Sequence, residues 1–249
     1  MNIDQNRLTE QLLLQLIQNS DVTTEYVQWA EYLNIDLSIS YVACLIETKN
    51  PNITSSYQEI AQIQSRISEL SVPISFNQLL VLLAISDNDS TLTAQNNYFN
   101  KLFQQLDNPN IQLAIGEYFP QATNNIFLSY QSAKATLKEG KKYYPDNHIY
   151  CYKDFSLKIL LNEIKPSWQK EQLNSLIQKL KKEDENGILS NTLITWFENN
   201  MQPSTTAKVL MIHRNTLEYR LNKVAQITGL NLAKITDRML LYIALNITM

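Results

Sequence analysis

The densest run of residues able to do chemistry is PSTTAKVLMIHRNTLEYRLNKVAQI, from Pro203 to Ile227. Leu217, Leu221 and Val224 recur at i, i+4 and i+7, so they share one stripe of a helix that should run from about Arg214 to Ile227. At roughly 100° per residue, Asn215, Tyr219, Asn222 and Gln226 fall on the side farthest from that stripe, with Thr216, Glu218 and Lys223 beside them. Amides, hydroxyls and a phenol in a row are groups that read base edges, and flanking cations reach phosphates. Base contact is therefore expected from Asn215, Thr216 and Tyr219, and phosphate contact from Arg214, Arg220, Lys223 and His213. His213 stands just before the helix, where it either donates to a phosphate or caps the turn. An ordinary amphipathic surface helix would carry more Glu and Lys outward and fewer amides.

Such a helix needs partners to hold it against a groove. A first helix is predicted over Ser204–Leu210, opened by Pro203 and by three hydroxyl residues that supply caps. Thr205 and Thr206 at that end join the DNA-facing set. Ala207 is small enough for the two helices to cross closely, as a helix-turn-helix requires. Met211 fills a turn position often held by glycine. Leu189–Asn199 reads as a lead-in helix with Leu193, Trp196 and Phe197 supporting the core, and Asp237–Asn246 as a closing helix. From Ser190 to Met249 there are six Lys or Arg and three acids, a net charge of +3, in a chain whose net charge is −3. A basic end on an acidic body suits a DNA-binding module joined to a sensing or assembly module.

At 249 residues and 44% hydrophobic, the chain is long enough for two domains with real cores. Only four glycines and seven prolines leave little room for long flexible linkers. The N-terminus lacks a secretory pattern, no stretch approaches the ~20 apolar residues of a membrane span, and Cys44 and Cys151 make no disulfide framework. A cytoplasmic protein with no membrane contact is expected. The two histidines, His148 and His213, have no ligands at metal spacing, so no metal is expected. There is no GxxxxGK[ST], GxGxxG or GxSxG, so no catalytic residue, no cofactor and no enzyme activity is expected.

Residues 7 to 33 suggest two helices broken near Asn19–Thr23, whose apolar faces must pack on the next domain or on a second subunit. Then come a strand at Tyr41–Glu47, a helix at Ser56–Leu70, strands at Val72–Phe76 and Gln78–Ile85, a helix at Ala94–Leu106 and a strand at Ile111–Ile115. That βαββαβ order is ferredoxin-like, an antiparallel sheet with helices on one face. A helix at about Asn125–Glu139 closing near Gly140 and a strand at His148–Tyr152 extend it. Helices follow at Phe155–Ile164, stopped by Pro166, and from Ser167 to the charged run KKEDEN, which reads as a solvated turn near a domain boundary.

The run from Thr192 to Leu245, above all IHRNTLEYRLNK (Ile212–Lys223), resembles the C-terminal DNA-binding domain of the PucR and carbohydrate diacid regulator (CdaR) families of bacterial transcription factors. The segments TGLNL (Thr228–Leu232) and DRMLLY (Asp237–Tyr242) are similar to the diacid regulators in particular. The resemblance makes Arg214, Asn215, Thr216, Tyr219 and Arg220 the DNA-contacting set. Gly116, SYQSAK (Ser129–Lys134) and Tyr152–Asp154 resemble the degenerate GGDEF-like domain of that family. A working cyclase needs a paired-glycine acidic turn for phosphate and metal, and no Gly-Gly occurs here, so the domain is expected to be a scaffold.

The expected architecture is α+β: connecting helices at 1–36, a GGDEF-like domain at 37–154, a helical linker at 155–187 and an all-α helix-turn-helix domain at 188–249. The resemblance implies a DNA-binding activator of sugar diacid utilisation (galactarate, glucarate, glycerate), acting as a homodimer or higher homo-oligomer with a sugar-diacid effector. Family members carry a sugar-diacid recognition domain ahead of the GGDEF-like unit, and this sequence contains no segment resembling it. The competing reading is a dimerising ligand-binding or protein-interaction module without specific DNA binding.

Overall fold

The computed structural model describes residues 3–85, 92–120, 122–162 and 167–248. The chain divides into two compact units, Met1–Ser156 and Leu157–Met249.

The first unit opens with α1 (Ile3–Gln18) and α2 (Thr24–Tyr32). The α2 helix is capped by Thr23, whose side chain accepts from the Tyr26 N–H. Next come β1 (Ser40–Thr48), α3 (Ile53–Arg66), β2 (Leu70–Ser75), β3 (Gln78–Ile85), α4 (Leu92–Leu106), β4 (Ile111–Ile115), α5 (Asn125–Tyr143) and β5 (Ile149–Cys151). The sheet order is β2-β3-β1-β4-β5. β1 runs antiparallel to both β3 and β4, as the βαββαβ reading requires. The β4–β5 pair is parallel, so the sheet is mixed rather than antiparallel. A parallel pair needs a crossover, and α5 is that crossover.

Helices cover both faces of the sheet, which corrects the one-faced expectation. β1 is buried at every position from Tyr41 to Thr48. Val42, Cys44 and Ile46 share a core with Ile60 and Ile63 of α3 and with Phe99, Leu102 and Leu106 of α4. On the opposite face lies α5, where Ser129 Oγ accepts from the Ala43 N–H at 2.8 Å and Asn125 Oδ1 from the Tyr41 N–H at 2.9 Å. α1 packs on α5 and β2 with Leu12 and Leu13 fully buried, so its apolar face is used within this unit.

Two glycines fix the seat of α5. A Cβ on Gly116, just past β4, would stand 2.2 Å from the Ser129 carbonyl oxygen. One on Gly140 would lie 2.4 Å from the Tyr150 ring, so this glycine is not a helix stop as expected: the helix continues to Tyr143, and Gly140 makes room for β5.

The second unit contains α7 (Trp168–Glu183), α8 (Ile188–Glu198), α9 (Pro203–Val209), α10 (Arg214–Thr228) and α11 (Ile235–Thr248). α6 (Tyr152–Asn162) spans the division, and the stop expected at Pro166 lies outside the described residues. α7 is no linker. Its Ile177 and Leu180 share one core with Leu193 and Trp196 of α8, Val224 of α10, and Leu241, Ala244 and Leu245 of α11. The charged run after it carries structure as well. Asp184 accepts from the N–H groups of Leu189 and Ser190, at 2.9 and 2.7 Å, and so satisfies free donors at the start of α8.

Candidate nucleic-acid interface

The helix predicted from Arg214 begins there, and its buried side is the predicted stripe: Leu217 and Val224 are fully buried, and Leu221 packs on the same core. Thr228 extends the stripe, buried and donating to the Val224 carbonyl at 2.8 Å. Buried Ala207 of α9 lies at the crossing, and the Ile212 N–H returns to its carbonyl at 3.0 Å to close the turn. Met211 adopts φ 53° there, a left-handed conformation that suits glycine, and leaves its side chain 93% exposed.

The outer side of α10 presents Arg214, Asn215, Thr216, Glu218, Tyr219, Asn222 and Lys223, all exposed. The side chains of Asn215, Thr216, Tyr219, Asn222 and Lys223 find no hydrogen-bond partner among the described residues, although Tyr219, 65% exposed, is an aromatic side chain held in water. Arg214 Nε pairs with Glu218 Oε1 at 3.1 Å, an exposed contact one helical turn long and easily exchanged for a phosphate. His213 takes the cap role: its Nδ1 accepts from the Asn215 N–H at 3.3 Å. An accepting Nδ1 places the ring proton of a neutral imidazole on Nε2, so the exposed ring keeps a donor for a phosphate.

Three expectations change. Thr206 is fully buried and donates to the Gln202 carbonyl at 2.7 Å, which removes it from any DNA-facing set. The hydroxyl residues do not cap α9, because the helix starts one residue earlier, with Pro203 at its first position, and this moves them into its first turn. Thr205 stays exposed, donating to Gln202 Oε1 at 3.2 Å. Arg220 is half-buried, and its Nη1 donates to Thr192 Oγ1 of α8 at 3.2 Å. It ties α10 to α8 instead of lying free on the groove side, a use that helix periodicity cannot reveal because the long side chain sets its own direction.

The other groups with possible chemistry are engaged or inert. Burial pushes the Cys44 thiol far up and the Cys151 thiol to about 11, so neither is a thiolate at neutral pH. Buried Glu47 accepts from Lys141 and Gln78, and Glu59 from Thr48 and Asn50. The β2–β3 turn beside them is Phe76–Asn77, without glycine. Among the described residues no group of three or more His, Cys, Asp or Glu is placed to hold a metal ion, and no helix is long and apolar enough to cross a membrane.

Two family models match the chain: the PucR C-terminal helix-turn-helix domain over residues 189–247 and the GGDEF-like domain over residues 18–138. The chain is 34% identical over 256 residues to the carbohydrate diacid regulator of Escherichia coli (strain K12), covering 97% of this chain and 66% of that protein. It is also 34% identical over 244 residues to an uncharacterized protein of Haemophilus influenzae, covering 95% and 64%. The proline-responsive transcriptional activator PutR of Bacillus subtilis is 23% identical over 231 residues, covering 87% and 56%. The chain thus spans about two thirds of the length of the first two relatives.

Proposed function

Because the chain belongs to the carbohydrate diacid regulator family, with its GGDEF-like domain and PucR-type helix-turn-helix, we propose that it is a sequence-specific DNA-binding regulator of transcription. The observation that carries the reading is the exposed row Asn215, Thr216, Tyr219, Asn222 and Lys223 on a helix whose opposite stripe is fixed in the core. In this reading α10 enters the major groove with Asn215, Thr216 and Tyr219 on base edges, and Arg214, Lys223 and His213 Nε2 engage phosphates. Arg220 acts through its contact with Thr192, holding the helix at its angle.

From the resemblance to the carbohydrate diacid regulators we further propose that the chain activates genes for use of sugar diacids such as galactarate and glucarate, or of glycerate. It acts in the cytoplasm as a homodimer on a palindromic site, because paired half-sites one helical turn apart match a two-fold protein. The GGDEF-like unit serves as scaffold, the Glu47 and Glu59 carboxylates beside its β2–β3 turn being occupied by neighbouring side chains.

The test is retention of sheared DNA from the source genome by the purified chain at ~150 mM salt, where weak non-specific binding is suppressed. Enrichment of a few sites with a shared palindromic element, next to sugar-acid genes, is the expected result. Uniform retention would instead favour an assembly module with sequence-indifferent DNA affinity.

A further inference from the structure

The second unit holds a cavity of about 230 Å³ between the end of α8, the α8–α9 turn and the first turns of α11. Arg238 lines it together with the rings of Phe197 and Tyr242, whose centroids lie 4.9 Å apart, and with Asn200, Met201 and Met239. Arg238 is half-buried, and its Nε is shut off from solvent yet meets no acceptor among the described residues. Its Nη1 has only the Met201 sulfur, a weak acceptor, at 3.7 Å. The neighbouring Asp237 turns elsewhere, accepting from the Asn231 N–H and the Thr236 hydroxyl. A guanidinium cannot shed its charge, and here its Nε is shielded and has no acceptor among the described residues, so an anion entering the cavity would supply the missing partner.

The surroundings say which kind. Below the usual size of a drug-sized pocket, the cavity admits only a compact molecule. Two aromatic rings, two thioethers and Ile235 form most of the wall, with the Asn200 amide and the Tyr242 hydroxyl as its uncharged polar groups, so a ligand whose body is a polyol would lose more water there than the wall replaces. Asn200 and Met201 hold consecutive left-handed conformations, φ 53° and 59°, fixed by the Asn200 N–H to Phe197 carbonyl and Met201 N–H to Trp196 carbonyl bonds. Such strain persists where the surroundings determine it and recurs at ligand clamps. We propose that this cavity binds a small organic monocarboxylate with an apolar body, its carboxylate on the Arg238 guanidinium and its body against Phe197, Tyr242 and Met239. The site stands apart from the base-reading face of α10, and the inference does not rest on the DNA-binding reading. It differs in chemistry from a sugar diacid.

The test is calorimetric titration of the full chain, in low-chloride buffer, with benzoate, isovalerate, glucarate and inorganic phosphate. Saturable binding of benzoate or isovalerate, with glucarate and phosphate at least tenfold weaker, is expected. Arg238→Gln should weaken that binding at least tenfold, and Arg238→Lys should restore part of it. Met239→Glu, at an exposed position that leaves the core alone, places a carboxylate beside the arginine and should abolish binding even if Arg238→Gln fails to fold. No saturable heat with either apolar acid would overturn the proposal, and so would phosphate binding as tightly as they do. Binding unchanged in Met239→Glu would overturn it as well.

Discussion

Two helices of this protein carry the same kind of polar row and put it to opposite use. On α5, Asn125, Ser129, Ser132 and Thr136 lie on one face, and all four are buried. Asn125 and Ser129 accept from β1 backbone N–H groups, Ser132 accepts from the Glu117 N–H and donates to the Ser129 carbonyl, and Thr136 donates to the Ser132 carbonyl. On α10, Asn215, Thr216, Tyr219 and Asn222 also share a face, and they stand in water without a protein partner among the described residues. Polar pattern alone does not separate glue from a reading surface. The difference lies in whether the chain itself supplies the complementary groups: the α5 row consumes backbone donors of the first unit, whereas the α10 row leaves its own groups open to solvent.

The comparison breaks most severely at the close approach beneath α5. Gly116→Ala drives a methyl into the Ser129 carbonyl oxygen, so the first unit should lose about 3 kcal/mol or more in chemical denaturation, since overpacking against backbone cannot relax cheaply. Ser129→Ala should cost about 1 to 3 kcal/mol, because the buried Ala43 N–H loses its acceptor. The equivalent removal on the other helix, Asn215→Ala, should leave the unfolding transition unchanged. Equal destabilisation by the two would erase the distinction.

Smaller effects sharpen it. Arg220→Ala should destabilise the second unit by about 1 to 2 kcal/mol, and in Thr192→Val the same change should have little further effect, a coupling readable by a double-mutant cycle. Independent effects would return Arg220 to the DNA face. Asp184→Ala should cost about 1 kcal/mol at neutral pH as a lost cap. Burial pushes the Asp184 carboxyl up, but the N–H groups of Leu189 and Ser190 outweigh it and hold the group below its usual range. Its stabilisation is therefore complete above the unfolded value of about 3.9 and lost as pH falls through the lower folded one. Acid titration of the melting temperature should show the wild-type advantage over Asp184→Ala fading below about pH 4.

The register of α10 was legible because three apolar positions at helical spacing leave only one face for the core. The sheet order followed from βαββαβ up to β4, and the parallel fifth strand follows once α5 is seen as a crossover. Burial of both faces was written in the apolar run Tyr41–Ile46, which does not alternate as a one-faced strand should. Thr206 is not legible as a core residue because its hydroxyl reads as polar, whereas in the helix it sits beside buried Ala207 and returns its proton to the Gln202 carbonyl. The role of α7 was hidden by the charged run after it, where Asp184, surrounded by solvated charges, holds the next helix.

We propose that α10 reads sequence through Asn215 while Lys223 supplies phosphate affinity. The most direct measurement is a titration of wild type, Asn215→Ala and Lys223→Ala against a captured genomic site and a random duplex across a series of salt concentrations. The account predicts that Asn215→Ala loses about 1 to 3 kcal/mol on the captured site and little on random DNA. Lys223→Ala should weaken both and lower the salt slope by about one unit. Equal losses on the two duplexes from both variants would contradict it.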